Sequence, residues 1–251
     1  MRIAIHVSGE LGVRSSRVLL AESGVHVGLF DEDSTAKSVQ RVEQLADWDV
    51  LVVDEISVGA RVHMDRAIDL GLAVVLARET SVVDDSATLV VGVLDGARLA
   101  MALAASRIGG SELMEAELAW TVEGHPLRSG VGVTFPDPVG ALWADTAGVP
   151  AADSPTKGFA APFAGKWRAI TARLTMGTDD GLSQEIYGIS DDRGFLDGAV
   201  LAAAAMAAAE GAYPVGVSGP GDPEGVFLRN AERAGLHIAA FTATPCRRRA
   251  P

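Results

Sequence analysis

Two glycines, Gly9 and Gly12, stand in a short turn between an apolar run at residues 3–7 and a helical pattern that begins near Val13, and Asp31 closes the next apolar run. Those residue types at that spacing outline a dinucleotide-binding βαβ unit. Glycines let the backbone come close to a pyrophosphate at a helix N-terminus, and an acid at the end of the second strand can hold a ribose hydroxyl. The candidate cofactor-binding residues are therefore Gly9, Glu10, Leu11, Gly12 and Asp31, and the expected cofactor is NAD or NADP. The charge of Asp31 favours NAD because it opposes a 2′-phosphate. In a G-x-G-x-x-G alignment the first glycine position is Val7, and in a looser G-x-x-G-x-x-G alignment it is His6. The same glycines also suit a tight strand-to-helix turn without a phosphate, and Asp31 beside Glu32 and Asp33 also suits a solvated acidic loop.

Other chemistries lack their residues. Five histidines are scattered singly and the one cysteine, Cys246, lies in a polar tail, so no zinc centre and no intramolecular disulfide is expected. No G-x-S-x-G elbow occurs, which leaves a serine hydrolase unsupported. With 33 acidic against 21 basic residues, a formal charge of −12 repels nucleic-acid backbones. The alanine-rich run at residues 199–209 is too short to span a bilayer, which takes about 20 apolar residues. The chain opens on a strand-like run with no separate signal-peptide core, so a cytoplasmic protein with neither membrane nor nucleic-acid partner is expected.

These residues must be positioned by elements, and the first half alternates strand and helix patterns. Strands are expected at residues 2–6, 25–30, 50–54, 73–76 and 88–93, with helices at 13–23, 38–46, 61–70 and from 95 or 96 to 107. Short β-branched runs separated by helices predict a parallel sheet covered on both faces, with its ligand crevice at the carboxyl ends of the strands. Gly109-Gly110-Ser111 marks a boundary. Beyond it, strands are expected at 117–123 and 130–135, a hairpin at 167–176 and 182–190, and an irregular proline-bearing stretch between them with a short helix at 140–145. A helix at 196–210 should cover that antiparallel sheet, followed by a strand at 214–217, a helix at 222–234 and a strand at 236–242. The fold class expected is α/β: a Rossmann-like domain at residues 1–113 and an α+β domain at 114–251 for substrate binding and dimerisation. An apolar outward face on the second sheet predicts a homodimer.

The order of motifs resembles the saccharopine dehydrogenase-like oxidoreductases. The shared features are Asp179-Asp180-Gly181, Asp192, Asp197-Gly198 opening the alanine-rich helix, Glu210-Gly211, Gly216-Val217 and Pro223-Glu224, with His125-Pro126-Leu127 and Phe135-Pro136-Asp137-Pro138-Val139-Gly140 at the entry to the second domain. The chain departs from the family at the first glycine of the nucleotide loop, and at Val93-Leu94-Asp95-Gly96, where a Gly-Pro-Gly-like turn is expected. The resemblance implies an NAD(P)-dependent oxidoreductase acting on a small carboxylated imine, amine or carbonyl substrate, lying between the parallel sheet's rim and the antiparallel sheet. Such an enzyme needs a cation for the carboxylate and a proton donor near the reacting atom. Arg128, or else Arg168, and His125 are the candidates; Trp167, Tyr187 and Arg193 are further residues of interest in the second domain, the two aromatics also suiting a core or an interface. A cofactor-free protein of this fold that binds a small ligand or catalyses a non-redox step, and an interaction subunit, remain alternatives.

Overall fold

Val50–Val53 is buried along its whole length, so a strand built from it must sit inside a sheet covered on both faces. The computed structural model describes residues 1–7, 9–30, 39–54, 58–80, 84–108, 112–150, 155–178, 181–221 and 225–241. The elements in chain order begin with β1 (Arg2–His6), α1 (Gly9–Ala21), β2 (His26–Leu29), β3 (Gln40–Arg41), β4 (Val50–Val53), α2 (Val58–Asp69), β5 (Ala73–Leu76) and β6 (Thr88–Val90). Next come α3 (Gly96–Ile108), β7 (Glu112–Glu123), β8 (Val131–Thr134), β9 (Ala141–Ala147), β10 (Thr156–Phe163), β11 (Trp167–Thr178) and β12 (Gly181–Asp192). The last are α4 (Arg193–Ala209), β13 (Gly216–Ser218), α5 (Val226–Arg233) and β14 (Ala239–Ala240).

Two units result, one formed by Met1–Asp95 with Asp197–Gly235 and the other by Gly96–Leu196 with Leu236–Pro251. The single expected division after residue 113 differs from this because β13 pairs in parallel with β6 and so extends the first sheet. That sheet is parallel throughout, in the order β3-β2-β1-β4-β5-β6-β13. Its strand order reverses between β1 and β4, which is the topological switch point of a doubly wound fold.

The segment expected as a helix at 38–46 is instead β3 and one 3-10 turn, Leu45–Asp47. Val42, Leu45 and Trp48 are buried, and Trp48 packs over Gly28 of β2, where a Cβ would collide with its ring. The inward residues of this segment serve a packed loop, which overrides their helical spacing.

The second sheet has the order β14-β12-β11-β7-β10-β9-β8 and is mixed, because β7 and β10 run parallel while its other ladders are antiparallel. The expected irregular stretch is therefore largely strand, and the helix expected at 140–145 is β9, paired with both β8 and β10. Pro162 fits within β10 because the β9 ladder ends at Ala160, so no donor is needed on that edge.

The helix on this sheet is α3, which packs on β7 and β11. Its Gly96 lies against Trp120, where a Cβ would collide with the indole. The alanine-rich α4, expected in that place, has its contacts from Asp197 onward within the first unit, where Gly198 would bring a Cβ to 3.0 Å from Arg14 Cβ and 3.2 Å from Ser15 N of α1. Ala199 to Ala207 are fully enclosed, as a helix apolar all round must be. On the sheet face away from α3, Val133, Phe135 and Val139 cover Ala119, Phe159 and Ala169.

At the start of α1, Gly9 has φ 66, a left-handed conformation that glycine adopts without strain. Gly12 faces the Val7 carbonyl so closely that a Cβ there would collide with it, whereas a Cβ at Gly59 of α2 would meet nothing within 4 Å. Gly12→Ala should accordingly destabilise the protein by about 1–3 kcal/mol, while Gly59→Ala should be neutral or stabilising by up to about 1 kcal/mol. Urea unfolding midpoints check this, and equal effects of the two substitutions would show that α1 does not press on β1.

Candidate functional site

The carboxyl rim of the parallel sheet gathers the residues that follow each strand. The Phe30 amide donates to the Ile5 carbonyl (3.3 Å) and the Asp54 amide to the His6 carbonyl (3.4 Å), which ties the ends of β2 and β4 to β1. Asp54 is mostly buried and lies 4.0 Å from the exposed Arg78 guanidinium beyond β5.

The glycine turn opens onto the same rim. Its Gly9 has no atom within 4 Å of where a Cβ would stand, so the space beside the turn is open. The first turn of α1 brings the amides of Gly9, Glu10, Leu11 and Gly12 to its N-terminus, where backbone donors and the helix dipole favour an anion. Glu10 is itself an anion there, and Arg14 one turn later holds its carboxylate by bonds from Nε (3.1 Å) and Nη2 (2.6 Å). Ser15 and Ser16 hydroxyls donate to the Leu11 and Gly12 carbonyls (2.9 and 2.6 Å), binding the first two turns together. Asp31, Glu55 and Ser8 lie outside the described residues.

His6 occupies the end of β1 at the position of a missing glycine, yet its ring does not serve the turn. Ala4 and His6 alternate onto the face that carries α2, and Ala4 shares a cluster with Ala60, Met64 and Ala67 of that helix. The His6 ring lies 5.5 Å from Phe30 and 5.3 Å from His63, and Phe30 and His63 are 4.3 Å apart. Burial, and then the neighbouring His6, hold the His63 pKa below its ordinary value. This aromatic group was not legible in the sequence, because the residue separations are long and only the sheet order brings them together.

In the second unit, His125 and Arg128 are exposed on the connection from β7 to β8. Arg193 pairs with Glu123 at 3.0 Å, and the Lys166 ammonium stands 5.4 Å from the Trp167 ring. The Tyr187 hydroxyl donates to Glu185 with the Arg107 guanidinium 5.3 Å from its ring. That hydrogen bond, followed by burial, raises the Tyr187 pKa. Among the described residues, no group of three or more His, Cys, Asp or Glu is placed to hold a metal ion, and no helix is long and apolar enough to cross a membrane.

Among solved structures, the apo form of saccharopine dehydrogenase (L-Glu forming) from Saccharomyces cerevisiae matches with a TM-score of 0.56 at 7% identity, over 96% of this chain and 100% of that one. The chain shares the saccharopine dehydrogenase fold. The resemblance read from the sequence is thus borne out at the level of fold. An amine dehydrogenase from Mycobacterium smegmatis (TM-score 0.46, 10% identity, 86% of this chain and 94% of that one) also matches. So does a myo-inositol dehydrogenase from Corynebacterium glutamicum (TM-score 0.45, 12% identity, 97% and 99%). No protein-family model and no curated protein matches the sequence.

A histidine with a lowered pKa stabilises the fold in its neutral form. As pH falls below about 6.5, the unfolded chain takes up a proton before folded His63 does, so stability is lost through that range and levels off below the folded pKa. A ring-proton titration of His63 should have its midpoint below about 6.5 and should move upward in His6→Gln. A midpoint at or above the ordinary value would contradict the packing.

Proposed function

We propose that the protein is an NAD(P)-dependent oxidoreductase acting on a small carboxylated imine, amine or carbonyl substrate. The observation that carries this reading is the open Gly9–Gly12 turn, which starts α1 at the reversal point of a wholly parallel sheet. Ligands of open α/β sheets bind in that crevice. A dinucleotide fits the residues there: the turn leaves space beside Gly9, Gly12 keeps α1 tight on β1, and the His6 ring is directed to Phe30 and His63 instead of the turn.

The backbone of Gly9, Glu10, Leu11 and Gly12 would hold the pyrophosphate, with Arg14 offsetting the charge of Glu10, and Asp31 would take the ribose hydroxyls. A nicotinamide cofactor, when bound, supplies hydride transfer. Arg128 would anchor the substrate carboxylate with its planar fork, and His125 would hold or give a proton at the reacting atom. The formal charge of −12 disfavours a nucleic-acid partner, and a cytoplasmic protein acting on a small molecule fits this reading.

NADH should raise the melting temperature, since a ligand at 100 times its Kd adds about 2.7 kcal/mol of stability. Asp31→Ala should weaken NADH and shift preference toward NADPH. No shift with either nucleotide at millimolar concentration would overturn the reading and favour a cofactor-free small-ligand protein. An unchanged NADH to NADPH ratio in Asp31→Ala would make Asp31 a surface acid. Arg128→Ala should raise KM for the substrate about tenfold or more, the loss of roughly 1.4 kcal/mol or more of binding.

A further inference from the structure

The crevice at the reversal point of the parallel sheet has two walls. β2 and β5 lie to opposite sides of the paired β1 and β4, so right-handed crossovers set α1 and α2 on opposite faces of the sheet, each starting at the carboxyl rim. The α1 wall offers the glycine turn. The α2 wall carries His63 in the second turn of the helix, with His6 at the end of β1 and Phe30 just beyond β2. All three rings are half-buried. The His6 and His63 centroids stand 5.3 Å apart, with Phe30 5.5 Å from the first and 4.3 Å from the second.

Two imidazoles this close take up one proton before they accept two, because like charges repel. The charged groups on the elements around them are Arg41 and Glu43 of β3 and the residues after it, Asp47 of the 3-10 turn, Asp54 after β4 with Arg78 4.0 Å away, and Arg61, Asp65 and Arg66 of α2, where Arg61 and Asp65 pair at 3.0 Å. Among the described residues neither imidazole forms an ion pair or a side-chain hydrogen bond. Asp31, Glu32, Asp33 and Glu55, which follow Phe30 and Asp54 in sequence, lie outside the described residues. His26 and the Met1 ammonium also titrate near neutral pH, and both stand at the amino ends of the strands. The His6–His63 pair is thus the group of this unit that can change charge near neutral pH at the carboxyl rim.

A dinucleotide brings two phosphate charges into the crevice between these walls. A positive charge on the α2 wall attracts them, and by linkage the bound phosphates favour that charge in return. We propose that nucleotide binding at the Gly9–Gly12 turn is coupled to proton uptake by the His6–His63 pair, so that NAD binds more tightly as the pH falls from about 7.5 to about 5.5. This regulation rests on the nucleotide reading. The pyrophosphate does not itself titrate in that range, and ordinary carboxylates stay ionised through it. Across a crevice on the order of 10 Å wide, one charge acting on the pyrophosphate changes affinity by about threefold or more.

Amide-shift titrations of the full chain with NAD⁺, which survives mildly acidic buffer, test this at both ends of the range. The Kd should be about threefold or more lower at about pH 5.5 than at about pH 7.5. The double variant His6→Gln, His63→Gln should bind with one Kd at both, within about twofold of the unaltered protein's value at the higher pH. If that variant does not fold, ring-proton titrations of His6 and His63 in the unaltered protein decide, and saturating NAD⁺ should raise the midpoint of the pair by about 0.5 pH or more. A Kd that is independent of pH or higher in acid, a dependence that survives in the folded double variant, or ring midpoints unmoved by NAD⁺ would overturn the coupling alone. No saturable amide shift at either pH would overturn the nucleotide reading and the coupling with it.

Discussion

The seat of α1 on β1 depends on one missing side chain. Gly12 touches the Val7 carbonyl where any Cβ would collide, so the helix can start immediately after the strand and bring its N-terminus to the switch point. Gly9 in its left-handed conformation makes the turn, and the serine hydroxyls bonded one turn back lock the first residues into the helix. A second helix is then drawn onto α1 by the same means, since Gly198 of α4 sits against the backbone of Arg14 and Ser15. Arg233 of α5 reaches Glu22 at 2.8 Å and Glu210 at 3.4 Å, so the returning segment is tied to the residues that follow α1 and α4. The site and the scaffold of the first unit thus rest on the same close approach.

The second unit follows a different constraint, the alternation of faces along β7, β11 and β12. Leu118, Ile170, Ala172 and Leu174 are buried on the side that α3 covers, while Glu117, Thr171 and Arg173 rise on the other. On that other face Val133 of β8, with Phe135 and Val139 after it, packs on Ala119, Phe159 and Ala169.

Much of the first unit was legible because its signals are local. Continuous β-branched runs and the glycine turn need no knowledge of distant residues, and β1, β4 and β5 fall where those runs lie. The partner of α4 was not legible: a helix of alanines shows that it will be enclosed but carries no direction to say by what. The strand β10 was hidden by Gly158 and Pro162 within it, and β9 by the glycines that flank it, Gly140 and Gly148, whose turn preferences yield to the ladders formed with neighbouring strands. For the sites, Gly9 and Gly12 were visible from spacing, whereas the His6, Phe30 and His63 group depends on strand order. His125 and Arg128 were singled out by residue type alone, and both stand exposed on one connection.

The central claim is that the Gly9–Gly12 turn is a pyrophosphate cradle. Amide chemical shifts measured during a titration with NADH test it most directly. The account predicts that Gly9, Glu10, Leu11 and Gly12 shift together and saturate at one Kd, with the effect fading along α1. Unchanged amides at these four residues in the presence of saturating nucleotide would contradict it.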